Sequence, residues 1–428
     1  MSCNFPRSDD VPGLPARRAA LRLLDAVLRR GEPLELAIHG ASQGIADRAD
    51  RALVHAIAAE VLRRLPDLDA LIDGATRQPL PEDAKARMVL RIALVQALVL
   101  GTPAHAAIAT ALPLVDGGPR KLVHGVFGTV TRAAPVLPDS PTLPEGVAER
   151  WAKQWGDAMA KDAARAYAVR PPVDLSLRDP AQTAHWATLL GGESLAPGHV
   201  RLPDHATVTD LAGFAEGAWW VQDLAAAIPA RLMGAGSGRA VLDLCAAPGG
   251  KTMQLAAAGW NVTAVDQSAR RLQRLTENLA RTGLAAQVVT ADLRQWQPVE
   301  SADAVLLDAP CSATGIYRRH PDVLHRIGSR QIAELADLQA QLLNRAAHWV
   351  RPGGVLVYAT CSLERAEGED QAVRFLAAHP DFALDAPTPD ELPRDVAASA
   401  QGWVRTLPGT LADRGGTDGF FIVRFFRT

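Results

Sequence analysis

The sequence predicts a chain of two main parts, an all-α domain followed by an α/β domain in which helices cover both faces of a mostly parallel sheet. Three observations lead to this prediction. Residues 15–133 carry a helical repeat of apolar residues, residues 134–146 are rich in proline, and from residue 236 short apolar runs alternate with helical segments. A chain of 428 residues is long enough to bury more than one hydrophobic core.

The helical repeat is clearest in two stretches of the first part. "ARRAALRLLDAVLRRG" and "DRALVHAIAAEVLRRL" place apolar residues at i, i+3, i+4 and i+7, with arginines on the opposite face. Gly31 and Pro66 follow these stretches as stop signals. We therefore expect a helical domain over residues 15–133, and we predict that residues 1–14 before it are disordered.

The rest of the chain divides into a linker, a connector and the α/β domain. The linker is "APVLPDSPTLPEG", residues 134–146, and residues 147–235 mix a helical start with extended pieces such as "PPVDLSLR", which predicts a small α+β connector that contributes to RNA binding. In residues 236–428, runs such as "AVLDLCAA", "NVTAVDQ", "AQVVTADL", "ADAVLLDAP" and "GGVLVYATCS" are separated by helical segments, as in a parallel sheet covered on both faces. The tail, "GWVRTLPG" and "DGFFIVRFFR", adds strands without a helix between them and predicts an antiparallel edge.

Composition argues against several classes of protein. The most apolar stretch, "MVLRIALVQALVLG", is interrupted by Arg91 and Gln96, so we expect no membrane span. The first twelve residues lack the apolar core of a signal peptide, which predicts a cytoplasmic protein. Four scattered cysteines with no Cys-x-x-Cys spacing predict neither a disulfide framework nor a metal site. The net charge of −2 leaves nucleic-acid binding open, because phosphate contacts need only a local basic face.

Acidic residues end three successive strands of the predicted sheet: Asp266 in "TAVDQ", Asp292 in "TADL" and Asp308 in "LLDAP". Ligands of such sheets bind at the carboxyl ends of the strands, where the first of these carboxylates can accept from a ribose diol and the second can meet an adenine edge. The turn "GGKT" is not an ATP-binding P-loop, because Cys245 stands where that motif needs glycine. Each acid alone is equally consistent with capping a helix. Together they suit a cationic nucleoside cofactor, and S-adenosylmethionine fits best.

Two of the four cysteines follow strands of this sheet, Cys311 after the fourth and Cys361 after the fifth. Taken alone, each is consistent with a nucleophile, half of a disulfide, a metal ligand or a small buried residue. If the two strands are neighbours, both thiols open onto one cleft beside the methyl donor. A thiolate that adds to carbon 6 of a pyrimidine makes carbon 5 able to attack a methyl group, and loss of the carbon 5 proton then expels the thiol. The pair predicts methylation of a pyrimidine by covalent catalysis.

In order and spacing, "LDLCAAPGGKT", "DAPCSATG", "RRHPD" and "YATCS" resemble the motifs of the Sun/Nop family of RNA (cytosine-5)-methyltransferases. "GAWWVQDLAA" is similar to the element that precedes the first of these motifs. "PAHAAI", "LPDLDALI" and "KLVHGV" resemble the NusB-like helical domain of the bacterial members that act on 16S ribosomal RNA. The resemblance covers nearly the whole chain, and it implies a class I, Rossmann-like methyltransferase domain behind a NusB-like RNA-binding domain.

The resemblance also implies roles for the catalytic residues. It makes Cys361 the nucleophile and Cys311 the residue that assists product release. Asp308 would lie near the methyl group and the cytosine amine, and Lys251 would orient Asp308 or the target base.

For the cofactor, the resemblance implies that Asp266 binds the ribose and Asp292 the adenine. The residues assigned to S-adenosylmethionine in this way are Cys245, Ala246, Ala247, Pro248, Gly249, Gly250, Lys251, Asp266, Arg271, Asp292 and Asp308.

The remaining expectations concern the RNA. The target cytosine must be unpaired or flipped outward to reach a thiol at a strand end. Arg318, Arg319 and His320 follow Cys311 and are predicted to hold phosphates or to stack beside the displaced base, although such a loop is often only a solvated surface. We expect a monomer that acts on 16S ribosomal RNA. A transfer RNA substrate and a non-catalytic RNA- or protein-binding scaffold are the alternatives.

Overall fold

A computed structural model of the chain describes residues 12–203 and 207–428. Its helices are α1 (Leu14–Leu28), α2 (Leu34–Ala41), α3 (Arg48–Arg63), α4 (Leu65–Gly74), α5 (Lys85–Leu98), α6 (Ala104–Ala111), α7 (Gly118–Arg132), α8 (Glu145–Trp155), α9 (Asp157–Ala168), α10 (Thr183–Leu189), α11 (Leu224–Arg231), α12 (Gly250–Ala257), α13 (Ala269–Thr282), α14 (Val323–Arg326), α15 (Ser329–Ala347) and α16 (Glu369–Ala378). Its strands are β1 (Val173–Leu177), β2 (His199–Leu202), β3 (Trp219–Val221), β4 (Ala240–Leu244), β5 (Asn261–Asp266), β6 (Gln287–Thr290), β7 (Ala302–Asp308), β8 (Val350–Thr360), β9 (Phe382–Leu384), β10 (Val404–Thr406) and β11 (Phe420–Arg427).

The described residues divide into two compact units. The helical unit contains the chain up to Ala152, Ala163–Ala168 and Arg319–Ile327. The sheet unit contains Lys153–Asp162, Val169–Arg318 and Gly328–Thr428. The stretch predicted to be a connector, residues 147–235, is thus shared between the two units and is not a unit of its own. Of the segment predicted to be disordered, residues 1–11 lie outside the described residues, and α1 begins at Leu14.

The helical unit is built around α5. Every residue of this helix from Ala86 to Gln96 is buried, as expected of a helix that is apolar on all sides and lies inside a bundle. Two buried arginines lie in this stretch. Arg91 forms a bidentate pair with Asp69 of α4 at 2.8 and 2.7 Å, and Arg87 is paired with Asp69 and Asp73. The apolar face of α1, with Leu23, and that of α3, with Ile57, belong to the same core. The prediction of an all-α first domain is confirmed.

The sheet unit contains a large mixed sheet with the strand order β10-β11-β8-β7-β4-β5-β6 and with β9 paired to β11. The neighbours β8-β7, β7-β4, β4-β5 and β5-β6 are parallel, and β11 is antiparallel to β8. The parallel sheet with an antiparallel edge, predicted from the tail of the sequence, is confirmed. A separate antiparallel sheet of order β2-β1-β3 lies in the same unit.

Side chains of the central strands alternate between two hydrophobic clusters. In β7, Leu306 belongs to one cluster, and Val305 and Leu307 belong to the other. Because successive residues of a strand point to opposite faces, this alternation means that both faces of the sheet are covered. Because both faces are covered, consecutive residues of these strands are apolar in the sequence.

The strand order places a switch point between β4 and β7. From β4 the chain continues to β5 on one side, and from β7 it continues to β8 on the other. Open α/β sheets bind ligands in the crevice at the carboxyl ends of the strands at such a point. Among the described residues, no helix has the length and apolarity needed to span a membrane.

Candidate active site

The three strand-end acids lie at one edge of the large sheet. Asp266 is the last residue of β5, Asp308 is the last residue of β7, and Asp292 comes two residues after the end of β6. All three line a cavity of about 570 Å³ in the sheet unit, a size typical of small-molecule sites. The lining is completed by Cys245, Gln267, Arg271, Ala291, Leu293, Arg294, Ala309, Pro310, Cys311, Ala313, Leu338, Leu342 and Cys361.

The turn between β4 and α12 forms one wall of this cavity and needs its glycine. Cys245 and Gly249 both have left-handed backbones, with φ of 61° and 105°. A Cβ on Gly249 would lie 2.8 Å from Cγ of Leu275 in addition to straining the backbone. The turn is fixed to the end of β5, because the Ala247 N–H donates to Asp266 at 3.2 Å.

Asp266 and Asp292 differ in their surroundings. Asp266 is 2% exposed, and its second oxygen accepts the N–H of Ser268 at 2.8 Å. Each carboxylate oxygen has a second lone pair, so Asp266 keeps the capacity to accept from a ribose hydroxyl. Asp292 is paired with Arg294, whose guanidinium donates to it at 2.7 Å. These hydrogen bonds from Arg294 lower the pKa of Asp292.

Arg271 also lies at this cavity. Its guanidinium donates to the carbonyl oxygen of Ala247, in the turn after β4. One of its nitrogens is 3.6 Å from Asp266. The predicted cofactor residues on the first two strand ends are therefore joined to each other by hydrogen bonds.

An ion pair between Lys251 and Asp308 lies at the switch point. Nζ of Lys251 is 2.7 Å from the Asp308 carboxylate and 5.5 Å from the centre of the Phe420 ring. Burial alone would lower the pKa of Lys251, but the charge of Asp308 and its hydrogen bond raise it above the usual value. Lys251 is consequently a fixed cation that holds the Asp308 side chain in place.

The two cysteines meet in the same cavity. β7 and β8 are parallel neighbours, with Asp308 opposite Ala359. Cys311 and Cys361 follow these positions, and their sulfurs are 3.4 Å apart. The hydrogen bond with Cys361, followed by burial, raises the pKa of the Cys311 thiol well above its usual value. The two strands are neighbours, as the two-thiol mechanism requires, and Cys311 is held in the protonated form.

Comparisons with known proteins agree with this geometry. Residues 232–426 match the family described as 16S rRNA methyltransferase RsmB/F, and residues 14–132 match the NusB family. The ribosomal RNA small subunit methyltransferase B of Klebsiella pneumoniae subsp. pneumoniae is 34% identical over an alignment of 440 positions, which covers 96% of this chain and 98% of that protein. The chain belongs to the RsmB/F family of 16S rRNA methyltransferases. The resemblance inferred from the motifs is confirmed for both parts of the chain.

Solved structures support the fold of this methyltransferase. The crystal structure of PH0851 covers 97% of this chain and 99% of its own, with a TM-score of 0.74 at 24% identity. A methyltransferase homologue from Pyrococcus horikoshii covers 66% of this chain and 94% of its own, with a TM-score of 0.55 at 25% identity. The chain is accordingly a Rossmann-like methyltransferase that depends on S-adenosylmethionine.

The cavity of this RsmB/F methyltransferase fits the cofactor that the family uses. When bound there, S-adenosylmethionine supplies an activated methyl group. Asp266 and Asp292 would offer carboxylates to the nucleoside, since both line the cavity together with Cys245, and the Ala247 N–H of the same turn donates to Asp266. Among residues 12–203 and 207–428 we find no group of three or more His, Cys, Asp or Glu side chains arranged to hold a metal ion.

The three residues predicted to bind RNA are consecutive, and the chain passes from the sheet unit to the helical unit between the first and the second of them. Arg318 belongs to the sheet unit, and Arg319 and His320 belong to the helical unit. Arg318 is 3% exposed, and its guanidinium donates to the carbonyl of Gly415 at 2.6 Å. A buried guanidinium held by a backbone carbonyl fixes a loop, so the position of Arg318 does not support the predicted RNA contact. Burial lowers the pKa of the half-buried His320, so this ring is more readily neutral than a free histidine.

Sequence reasoning missed two buried acids beside the site. Asp243 of β4 is fully buried and forms a hydrogen bond of 2.5 Å with Thr252 Oγ1. An acid inside the apolar run "AVLDLC" is a signal that would have identified it. Glu367 is also fully buried, between the turns that carry the two cysteines. Its local sequence, "RAEGEDQ", looks like an exposed polar turn and contains no such signal.

Proposed function

We propose that this methyltransferase modifies carbon 5 of a cytosine in 16S ribosomal RNA through a covalent bond between Cys361 and the base. The observation that supports this reaction best is the pair of sulfurs 3.4 Å apart, in the same cavity as the Lys251–Asp308 ion pair. A 16S ribosomal RNA substrate is supported by the description of the family and by the name of the Klebsiella pneumoniae relative. The proposed ribosomal RNA substrate is consistent with the cytoplasmic location predicted from the sequence.

In the first step, the Cys361 thiolate adds to carbon 6 of the cytosine. The sulfur lone pair forms the S–C6 bond, and the electron pair of the C5–C6 double bond moves onto carbon 5, which becomes able to accept the methyl group. The Asp308 carboxylate, which is held by Lys251, would accept a hydrogen bond from the exocyclic amine of the base. This contact would favour cytosine over uracil, whose oxygen at that position cannot donate.

Carbon 5 would then take the methyl group, and the bond from that methyl group to the cofactor sulfur would break as the C5–methyl bond forms. In the second step, the adduct is released. Once a base has taken the proton from carbon 5, the electron pair of that C–H bond restores the C5–C6 double bond and expels the Cys361 sulfur. Cys311 assists because its thiol lies 3.4 Å from the departing sulfur and can donate a hydrogen bond to it. The raised pKa of Cys311 keeps that proton available.

The test uses two cysteine variants and cofactor carrying a labelled methyl group. We expect Cys361→Ala to abolish labelling of deproteinised 16S ribosomal RNA. We expect Cys311→Ala to accumulate a protein–RNA species that survives a denaturing gel, because release is slowed and attack is not. If Cys361→Ala forms that species and Cys311→Ala does not, the nucleophile is Cys311 and the proposed roles are wrong.

Parallel assays separate the proposed substrate from its alternatives. Label in transfer RNA but not in ribosomal RNA would refute the proposed substrate and leave the chemistry in place. Failure to bind S-adenosylmethionine by calorimetry would refute the enzyme and favour a scaffold. Arg319 and His320 remain proposed RNA contacts, and their alanine variants should weaken binding of 16S ribosomal RNA in filter-binding assays.

A further inference from the structure

One carboxylate, that of Glu367, lies behind both cysteines. Its side chain is fully buried. Four hydrogen bonds reach it, and all of them come from neutral groups: the N–H and the hydroxyl of Ser312, the hydroxyl of Ser362 and the amide of Gln339. Burial of a carboxylate without hydrogen bonds costs a great deal of free energy, so such a dense set of donors indicates that this charge is held in one place.

Glu367 first binds the turn that carries Cys311. Oε1 accepts the N–H of Ser312 at 2.9 Å, and Oε2 accepts its hydroxyl. Oε1 also accepts Nε2 of Gln339 at 2.9 Å, and the same nitrogen donates to the carbonyl of Pro310 at 2.8 Å. The residues before and after Cys311 are therefore both tied to this carboxylate.

Glu367 also binds the turn that carries Cys361. Oε2 accepts the Ser362 hydroxyl at 2.5 Å, and this hydroxyl is 3.1 Å from that of Ser312. The backbone carbonyl of Glu367 accepts the hydroxyl of Thr360 at 3.1 Å. The residues on both sides of Cys361 are thus fixed by Glu367 as well.

We infer that Glu367 is a positioning residue that sets the separation of the two active-site sulfurs. The inference rests on the proposed two-cysteine reaction for its functional meaning, although the geometry it describes does not depend on RNA. Among the described residues, the only other side chain that contacts both the Ser312 and the Ser362 hydroxyl is that of Thr314. Thr314 is neutral, so Glu367 alone adds a charge to this arrangement.

That charge gives Glu367 a second effect on the same pair. Its negative charge is one of the causes, after the Cys361 hydrogen bond and burial, that raise the pKa of Cys311. A carboxylate that positions both turns thereby also favours the protonated Cys311 that release requires. Geometry and charge can be separated, because glutamine has the shape of glutamate without its charge.

Two substitutions separate these effects. In Glu367→Gln the amide oxygen can still accept from Ser312 and Gln339, and the amide nitrogen can donate to the two serine hydroxyls, which rotate to accept. All four contacts survive while the charge is lost. In Glu367→Ala the contacts and the charge are both lost. Glu334→Gln, on the exposed face of α15, is the matched control for a change from glutamate to glutamine.

The separation of the thiols is measured without RNA by dibromobimane, a reagent that becomes fluorescent when its two arms alkylate two nearby thiols. We expect Glu334→Gln to be bridged between Cys311 and Cys361 at the parent rate, and Glu367→Gln to be bridged at the parent rate or faster, because loss of the charge favours the Cys311 thiolate. Glu367→Ala should be bridged about tenfold more slowly or worse, since displacements of about 1 Å are enough to disrupt reactions that need two aligned groups. Peptide mass spectrometry identifies the bridged residues.

A second measurement follows the charge. The pH midpoint for alkylation of Cys311 should be lower in Glu367→Gln than in the parent, whereas a purely structural role for Glu367 would leave this midpoint in place. Bridging of Glu367→Ala at the parent rate, with cofactor binding retained, would overturn the inference.

If Glu367→Ala does not fold, the Ser312→Ala, Ser362→Ala double variant takes its place. Bridging of that double variant at the parent rate overturns the inference equally. Because no outcome here depends on methylation, failure of the proposed function and failure of this inference remain distinguishable.

Discussion

The buried acid Asp243 makes the free energy of unfolding of the sheet unit depend on pH. Its side chain is fully buried in β4. Burial raises its pKa from 3.8 to about 7, against the opposing effect of the hydrogen bond from Thr252. In the unfolded chain the carboxyl group returns to water and loses its proton near the ordinary value.

The direction of this pH dependence follows from the number of protons bound in the folded and the unfolded state. Between pH 3.8 and about 7 the folded protein holds a proton on Asp243 that the unfolded chain has lost. The free energy of unfolding therefore falls as the pH rises through this range and is flat above it. Each unit of the pKa difference between the two states corresponds to about 1.4 kcal/mol, so the total change in the free energy of unfolding is on the order of 4 kcal/mol. About 2 to 3 kcal/mol of this change falls between pH 5 and pH 7.

The substitution that tests this pH dependence is Asp243→Asn, because asparagine has the shape of the protonated acid and can still accept the hydrogen bond from the Thr252 hydroxyl. Urea unfolding of the cofactor-free parent and variant, followed by circular dichroism at about pH 5 and about pH 8, gives the two differences that matter. We expect the variant to gain about 2 to 3 kcal/mol on the parent between these pH values. Asp337→Asn, on the exposed face of α15, is the control and should gain nothing. If the free energies of unfolding of the parent and of Asp243→Asn differ by the same amount at both pH values, Asp243 does not carry the raised pKa described above.

Two further predictions concern backbone contact and cofactor affinity. A Cβ on Gly315 would lie 1.9 Å from the carbonyl oxygen of Gly419 and 3.0 Å from that of Cys361. Gly315→Ala should therefore lose most of its methylation activity in the labelled-methyl assay. Gly328→Ala is the control and should keep its activity, because a Cβ on Gly328 would face open space. Asp266 is proposed to accept a charge-assisted hydrogen bond from the ribose, a contact worth about 1.5 to 3 kcal/mol. Calorimetry of Asp266→Asn should therefore show cofactor affinity lowered by roughly 10- to 150-fold. Unchanged affinity would mean that Asp266 does not bind the ribose.

The parts of the fold that could be predicted from sequence are those whose signal is local. The strands β4, β5, β7 and β8 were recognisable because a strand covered on both faces must be apolar at consecutive positions. The acids at their carboxyl ends were recognisable because the direction of parallel strands brings those ends to one edge. That Cys311 and Cys361 could meet was predictable for the same reason, once β7 and β8 were taken to be neighbours.

The features that could not be predicted depend on contacts between distant parts of the chain. Glu367 lies in a polar turn, and only the folding of two other turns over it makes it buried. Arg318 follows Cys311 closely in sequence, yet its guanidinium is held by carbonyls about a hundred residues away. Arg319–Ile327 joins the helical unit although it lies between two segments of the sheet unit. Periodicity and composition carry no information about such partners.

The surroundings of the two thiols support the proposed assignment of Cys361 as the nucleophile. Cys311 and Cys361 follow parallel neighbouring strands, and both line the same cavity with their sulfurs in contact. What distinguishes them is their surroundings. The hydrogen bond with Cys361, burial and the charge of Glu367 all favour the protonated form of Cys311, and a protonated thiol is a poor nucleophile. In the proposed reaction the attack therefore falls to Cys361, and the proton that Cys311 retains helps the product to leave.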